Sequence, residues 1–419
     1  MNRIINTDCL SGLRELDYES VDCCITSPPY WGLRDYGLEP LVWDAVDGCQ
    51  HEWGNMLPPK SGGAGNSPDK PSGFQQKSSG GQSGALSQMK KAESHSGQFC
   101  SLCGAWRGSL GLEPTFQLYI KHLIQIFSEV KRVLKPTGTC WVNLGDSYSG
   151  SGKGIGTDRT KGKEVYTDDD IAKTDWKQTG VVAKSLCQIP SRFAIAMTDA
   201  GWILRNEIIW KKVNCMPSSA KDRFTVDFEK LFFFTKQGNY WFEQQFEEYA
   251  PSSDVRYQQA LRAGKSYKSK EPYKNNTPYC SGKGGEVENE IKAGLTDSSA
   301  GTYKRGQGSV KSRGDDADGL VVGGHEERGR NKRCVWSIPT QPLKAAHFAV
   351  FPEALVETPI KAGCPVGGLV LDPFMGAGTV AVVALKRNRK FIGFELNPEY
   401  IEIAEKRISP LLQQTKLEL

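Results

Sequence analysis

The sequence holds no apolar run approaching the ~18–20 residues that a membrane-spanning helix needs, and Met1–Leu10 lacks the basic-then-apolar layout of a secretion signal. Membrane insertion and secretion are therefore not expected, and the chain reads as cytoplasmic. It also lacks a strong charge of either sign: 53 Lys+Arg stand against 48 Asp+Glu, a formal net charge of +5 in 419 residues. Apolar side chains are sparse at 38%, and 45 glycines mark much of the length as loop. No internal repeat of fixed period is present. Cysteine is not lacking. Twelve are scattered through the chain, and without a leader they read as thiols or metal ligands, not as a disulfide framework.

Where apolar residues do concentrate, their spacing predicts α/β structure. Val21–Thr26 (VDCCIT) has the short continuous apolar character of a buried parallel strand and ends before Pro28-Pro29. Leu118–Leu134 is spaced as a helix, and Pro136-Thr-Gly138 is expected to break it before a strand at Thr139–Leu144. A helix follows at Arg192–Asp199, with strands at Ile203–Trp210 and Lys230–Thr235. The C-terminal part repeats the alternation: helix Glu353–Ala362, strand Gly368–Leu371, helix Thr379–Lys386, strand Lys390–Phe394, helix Glu399–Ile408. Such alternation predicts a mostly parallel sheet covered on both faces.

Three stretches do not belong to that core. Lys60–Gly97 is Gly, Ser, Gln and Lys with too few apolar groups to offset its ordering entropy. Ser252–Arg333 is similar and carries 16 Lys+Arg against 11 Asp+Glu, as large an excess as that of the whole chain. Ser149–Lys163 is a shorter glycine-rich segment expected to be a mobile loop.

Two local patterns carry chemistry. Residues 369–395 read LVLDPFMGAGTVAVVALKRNRKFIGFE. A strand runs into Asp372-Pro373-Phe374, and Gly376-Ala-Gly378-Thr379 opens a helix whose N-terminus can face a ligand. Glu395 ends the next strand 19 residues after Gly376, close to the ~20-residue interval at which doubly wound folds place a carboxylate on ribose hydroxyls. The glycines do not follow G-x-G-x-x-G, so a nucleoside without a pyrophosphate fits better than a dinucleotide. A tight strand–helix turn with a surface Glu is the other reading.

The second pattern is Thr26-Ser27-Pro28-Pro29-Tyr30. Two prolines remove two N–H donors and stiffen the chain at the carboxyl end of a strand, where open α/β sheets bind ligands. The Pro28 carbonyl and the Ser27 hydroxyl offer two acceptors beside the flat Tyr30 ring. That set suits a planar base with an exocyclic amine; a proline-rich strand end with an incidental Tyr remains the alternative.

Together the two patterns resemble the amino-methyltransferases of DNA, in the permuted order where S-P-P-Y precedes F-x-G-x-G. The resemblance covers Ile4–Tyr36, Gly111–Tyr148, Leu186–Phe242 and Val335–Ile408. It implies a Rossmann-like, doubly wound S-adenosylmethionine-dependent methyltransferase fold. It also implies that Ser27, Pro28, Pro29 and Tyr30 form the catalytic element. Asp372, Pro373, Phe374, Gly376, Gly378 and Thr379 would line the S-adenosylmethionine site, with Glu395 on the ribose. Phe351 would lie near the methionine part, and Asp8, past the preceding strand, near the adenine. The Ser-Pro-Pro-Tyr spelling is commoner among cytosine-N4 enzymes, which makes N4 of a flipped cytosine the expected target and adenine N6 its rival. No Pro-Cys dipeptide, the nucleophile element of carbon-5 cytosine enzymes, is present. Double-stranded DNA and a companion restriction endonuclease are the implied partners, in a bacterium or phage-infected cell. Two other classes share parts of the pattern. One is a DNA-binding protein with an idle methyl-transfer site; the other is an RNA or protein amine methyltransferase.

Cys49-x-His51 and Cys100-x-x-Cys103 bracket the low-complexity stretch, and three sulfurs with one imidazole make an ordinary structural zinc set. Four unconnected reduced side chains are the alternative. The expected division is residues 1–47 as catalytic half, 48–103 as zinc insert, and 104–250 as continued core with a mobile loop at 149–185. Residues 251–334 would be the target-recognition region and 335–419 the cofactor half. In that recognition region Lys265, Lys268, Lys270, Lys274, Arg305, Arg313, Arg328, Arg330 and Arg333, with Tyr257, Tyr267, Tyr273 and Tyr303, suit DNA contact. Lys153, Lys161 and Lys163 suit the backbone as well; a solvated linker is the alternative in both regions.

Overall fold

In each central strand, successive side chains serve two different helix layers. The computed structural model describes residues 2–32, 39–55, 97–149, 180–182, 184–249, 329–341 and 351–417. Among these, eight strands form one sheet in the order β1 (Arg3–Asn6), β13 (Lys390–Glu395), β12 (Leu369–Asp372), β2 (Val21–Thr26), β6 (Leu134–Leu144), β8 (Phe228–Thr235), β7 (Ile203–Lys211), β11 (Val335–Ser337). Neighbours pair parallel except around β8, which is antiparallel to both β6 and β7. The sheet is mostly parallel, as the alternation predicts.

Helices α1 (Cys9–Arg14), α2 (Phe116–Val133) and α3 (Ile189–Asp199) pack on one another, and so do α4 (Glu353–Gly363), α5 (Thr379–Lys386) and α6 (Pro398–Leu417). Cys140, Val142, Leu144, Phe232 and Phe234 share a core with the first group. The alternate residues face the second: Thr139 Oγ1 donates to Gly363 O at 2.8 Å, and Trp141 stacks on Phe233 at 4.0 Å. The doubly wound expectation holds.

Helix α2 shows why these segments fold as they do. Thr115 caps it by accepting from Leu118 N, and Lys131 and Arg132 complement the helix dipole in the last turn. Its inner face buries Tyr119, Leu123, Ile126, Phe127, Val130 and Val133, each worth roughly 1.5–3 kcal/mol of transfer free energy.

The helix ends at Val133, just before Pro136 as expected, but the strand that follows begins at Leu134 and not at Thr139. Strand β6 runs without interruption from Leu134, and a register shift between Val21 and Cys23 absorbs the proline and glycine: Val21 faces Leu134, but Cys23 already faces Thr139. A second, three-stranded antiparallel sheet has the order β3 (Leu41–Trp43), β5 (Trp106–Gly108), β4 (Gln98–Phe99). Strands this short leave no period in the sequence.

The chain divides into two compact units, Met1–Tyr240 with Cys334–Leu419, and Trp241–Arg333. In the second, β9 (Phe246–Glu247) pairs with β10 (Arg330–Asn331), and Arg330 and Arg333 both hold Glu247. The other basic and tyrosine positions named for DNA contact, the low-complexity stretch up to residue 96 and the loop lysines lie outside the described residues. No helix among the described residues is long and apolar enough to cross a membrane.

Candidate active site and metal-binding cluster

Strands β2 and β12 are parallel neighbours, with Cys23 opposite Val370 and Cys24 opposite Leu371. Their carboxyl ends therefore reach the same sheet edge, one continuing into Ser27–Tyr30 and the other into Pro373–Gly378. Thr26 Oγ1 donates to Asp372 Oδ1 at 2.6 Å, and Phe374 N donates to the same oxygen at 3.0 Å. Asp372 is 1% exposed. Burial pushes its pKa up to about 7, against the pull of Thr26 and the Phe374 N–H.

The two glycines of this turn play different parts. Both have positive φ, +50° at Gly376 and +78° at Gly378. A Cβ on Gly376 would meet nothing closer than Phe374 O at 4.0 Å, whereas one on Gly378 would stand 2.7 Å from Ala404 Cβ on α6. Gly376 thus faces open space and Gly378 serves close packing. Glu395 Oε2 accepts from Gly376 N and Oε1 from Asn397 N, both at 2.8 Å. Burial raises the Glu395 pKa while these N–H groups restrain it.

Open space over Gly376, a half-buried Phe374 and a fixed carboxylate with lone pairs remaining fit a nucleoside such as S-adenosylmethionine. Pro373 is buried, and Thr379 turns inward to accept from Arg407 Nη1 at 3.1 Å. Asp8 caps α1 through Ser11 N at 2.9 Å, close past the strand whose Asn6 pairs with Glu395. Phe351 is half-buried just before α4.

On the other turn, the Tyr30 hydroxyl lies 2.7 Å from Glu229 Oε2, 3.0 Å from Asn143 Oδ1 and 3.4 Å from Ser27 Oγ. Burial, then the Glu229 charge, holds the Tyr30 pKa well above its usual value, so the ring stays neutral. Lys212 pairs with the other Glu229 oxygen. A Cβ on Gly145 would stand 2.6 Å from the Tyr30 ring, so the ring lies flush against bare backbone. Tyr119 Oη donates to Pro29 O at 2.7 Å. No donor among the described residues reaches the Pro28 carbonyl.

Glu229, Asn143, Lys212, Gly145 and Tyr119 were not legible as site residues. The available signals were slight: a carboxylate at the mouth of the apolar run KLFFFT, and an amide within CWVNL.

Cys49, His51, Cys100 and Cys103 come together as the spacing predicts, with all four ligand atoms within 4.8 Å of one another. Cys49 Sγ is 4.0 Å from Cys100 Sγ, and Cys103 Sγ is 3.4 Å from His51 Nδ1. Four ligands about 2.3 Å from a common centre at tetrahedral angles stand roughly 3.8 Å apart, so the cluster has the dimensions of a zinc cage. Burial opposes ionisation of Cys100, yet the Cys103 N–H, the His51 ring and the Leu102 N–H pull its pKa down to about 6. Burial and the neighbouring thiols push Cys49 up to about 12. A divalent cation bound to all four would relieve that competition. The described cysteines are all free thiols.

A family model described as DNA methylase matches residues 21–406. The type II methyltransferase M.XycI of Xanthomonas campestris pv. cyanopsidis is 30% identical over 96% of this chain and 85% of its own. M.Cfr9I of Citrobacter freundii, also a type II methyltransferase, is 29% identical over the same shares, 96% and 85%. The solved PvuII DNA methyltransferase, described as cytosine-N4-specific, aligns with a TM-score of 0.46 at 16% identity, covering 99% of this chain and 92% of that one. The family match takes in both the Ser27–Tyr30 turn and the Gly376 turn, and the relatives span nearly the whole chain: this protein belongs to the N6/N4 DNA methylase family.

Proposed function

We propose that the protein methylates double-stranded DNA from S-adenosylmethionine, on the exocyclic N4 amine of a cytosine turned out of the duplex. One observation carries this reading: an acceptor-rich turn and a ligand-ready glycine turn leave neighbouring parallel strands at one edge, joined by Thr26 and Asp372. Bound at the glycine turn, S-adenosylmethionine supplies a methyl group on a positively charged sulfur.

The remaining work falls to the chain. An exocyclic amine is a weak nucleophile because its lone pair is delocalised into the ring. Ser27 Oγ and the Pro28 carbonyl accept from its N–H groups, which favours a pyramidal, electron-rich nitrogen and stabilises the positive charge that develops during attack. The N–C bond forms as the C–S bond breaks, its electron pair staying on sulfur, and the amine then releases a proton to water. Tyr30, its hydroxyl tied to Glu229 and Asn143, offers a fixed ring on which the extruded base stacks. Alignment of the two turns supplies proximity.

The Ser-Pro-Pro-Tyr spelling supports cytosine. Adenine N6 is the second reading, because the same two acceptors serve either amine and the family description spans both. The kinship with type II methyltransferases supports a restriction–modification setting, with a companion endonuclease and a bacterial or phage-infected cytoplasm. Residues 251–334 serve as the target-recognition region on this reading, and the Cys49, His51, Cys100, Cys103 set binds one structural zinc.

The test is to express the full chain in cells, digest their DNA to nucleosides and identify the modified base by mass spectrometry. N4-methylcytosine supports the proposal, N6-methyladenine moves it to adenine, and no modified base overturns it.

A further inference from the structure

The three-stranded sheet that carries the Cys/His cluster is linked to the catalytic turn by a line of buried polar groups that methyl transfer does not itself use. Trp43 of β3 and Trp106 of β5 are register partners, and both stack on the His122 ring of α2, with centroids 4.6 and 5.5 Å away. His122 Nε2 lies 3.4 Å from Oδ2 of Asp44, the residue after β3, and Nδ1 lies 2.9 Å from Glu113 Oε1. The side chains of His122 and Glu113 are both 0% exposed. A buried ionisable pair is a poor source of stability compared with apolar packing of the same volume; placement of something else is the better explanation for it.

What Glu113 places is the catalytic turn. Its Oε2 accepts from Gly111 N at 2.8 Å, and its main-chain oxygen accepts from Trp31 Nε1 at 2.9 Å. Gly111 O accepts from Gly32 N at 2.8 Å. A Cβ on Gly111 (φ +93°) would stand 3.2 Å from the Tyr30 carbonyl and 3.4 Å from Pro29 Cβ, so this backbone lies directly against the turn. Tyr119, on the same helix as His122, adds its hydrogen bond to Pro29 O.

The cluster sets the other end of this line. Cys49 and His51 follow β3, and Cys100 and Cys103 form the turn between β4 and β5, closed by Cys100 N donating to Ala105 O at 2.8 Å and Ser101 N to Glu52 O at 2.9 Å. A metal held by all four residues ties the exit of β3 to the β4–β5 turn, and so fixes Trp43 against Trp106.

We propose that this metal-closed sheet is the buttress of the catalytic turn, with His122 and Glu113 as positioning residues through which metal occupancy reaches Pro29 and Tyr30. The inference rests on the zinc assignment above and goes beyond it: zinc loss acts on the base-binding half of the site and spares the cofactor half, whose Gly376 turn has no part in this chain of contacts.

The experiment uses the full-length protein with its bound metal quantified, tritiated S-adenosylmethionine, and bacteriophage DNA as methyl acceptor. Glu113→Ala is expected to lower kcat by about tenfold or more, since small displacements of reacting groups carry penalties of that order. S-adenosylmethionine affinity should stay within about twofold, a split that a general loss of structure does not give. Glu113→Gln, which keeps an acceptor for Gly111 N, should restore most of the rate. Cys100→Ser should reproduce the signature, and combining it with Glu113→Ala should cost no more than the larger single effect, because both act through one line of contacts.

Tyr119→Phe removes the bond to Pro29 without opening a cavity, and decides the matter if Glu113→Ala does not fold: a several-fold loss of kcat with unchanged cofactor affinity is expected. Metal present in the purified protein, with kcat unaffected by Glu113→Ala or Tyr119→Phe, overturns the buttress and leaves the zinc assignment standing. Absence of metal overturns the assignment and the coupling together. Cofactor affinity falling in step with kcat overturns the positioning role.

Discussion

Thr26 and Asp372 are 346 positions apart in sequence, and their side chains meet at 2.6 Å in the core of the site. That one hydrogen bond sits where the strand feeding the Ser27–Tyr30 turn runs beside the strand feeding the Gly376 turn. Burial there raises the carboxylate's pKa to about 7 against the pull of this bond, and pH should therefore act on the fold through this group.

Below the ordinary carboxylate range Asp372 is protonated whether folded or unfolded, and its contribution to stability is complete. As pH rises from about 4 through about 7 the unfolded chain releases the proton first, so stability falls across that window. Asp372→Asn keeps an acceptor for Thr26 and Phe374 N but does not titrate. Without cofactor, the Tm of the variant should match the parent near pH 4 and exceed it at pH 8, by about 1–2 °C per kcal/mol released. Parallel Tm–pH curves from calorimetry would contradict this.

The glycines should separate binding from folding. Gly378→Ala drives a methyl to within 2.7 Å of Ala404 Cβ at positive φ, and a loss of roughly 1–3 kcal/mol in denaturant unfolding is expected. Gly376→Ala meets open space, so its folding cost is confined to about 1–2 kcal/mol for the left-handed backbone. Its methyl enters the proposed cofactor site, and S-adenosylmethionine affinity by calorimetric titration should drop more than about tenfold.

The Tyr30 anchor should appear in the rate and not in cofactor binding. Glu229→Gln leaves an acceptor for the Tyr30 hydroxyl but removes the charge paired with Lys212; a kcat loss of about three- to tenfold is expected. Tyr30→Ala and Ser27→Ala should each lower kcat at least about a hundredfold, with S-adenosylmethionine affinity retained. Normal turnover in both would remove the catalytic assignment.

Elemental analysis of the purified protein should find about one zinc per chain. Removing it with a chelator, or replacing Cys103 by Ser, should lower the Tm and release β3, β4 and β5 to hydrogen exchange before the main sheet. Exchange rates unchanged by chelation would exclude a metal-closed sheet.

Much of this protein is legible in local patterns. The buried parallel strands announce themselves as short apolar runs, and α2 as a 3.6-residue stripe, because burial on one or two faces dictates those periods. The Ser27–Tyr30 and Asp372–Gly378 turns are equally local, since prolines and glycines state their backbone geometry wherever they stand. The convergence of Cys49, His51, Cys100 and Cys103 is readable for the same reason: they stand in two closely spaced pairs, the pattern expected of metal ligands.

Three-dimensional packing decided the rest. Pro136 and Gly138 place the start of the strand at Thr139 by local rules, yet a register shift against β2 lets β6 begin at Leu134 and run through them. Gly376 and Gly378 are indistinguishable in sequence, and only the position of Ala404 shows that one faces open space and the other a helix. Tyr119, Asn143 and Glu229 gather around the Ser27–Tyr30 turn from three separate elements, and the pairing of His122 with Glu113 carries no local spacing rule. Sequence by itself determined which segments are buried and which turns can bear chemistry, because those follow from side chains near in the chain. Which polar groups surround each turn is set by strand order and helix packing, since hydrogen bonds form between neighbours in space.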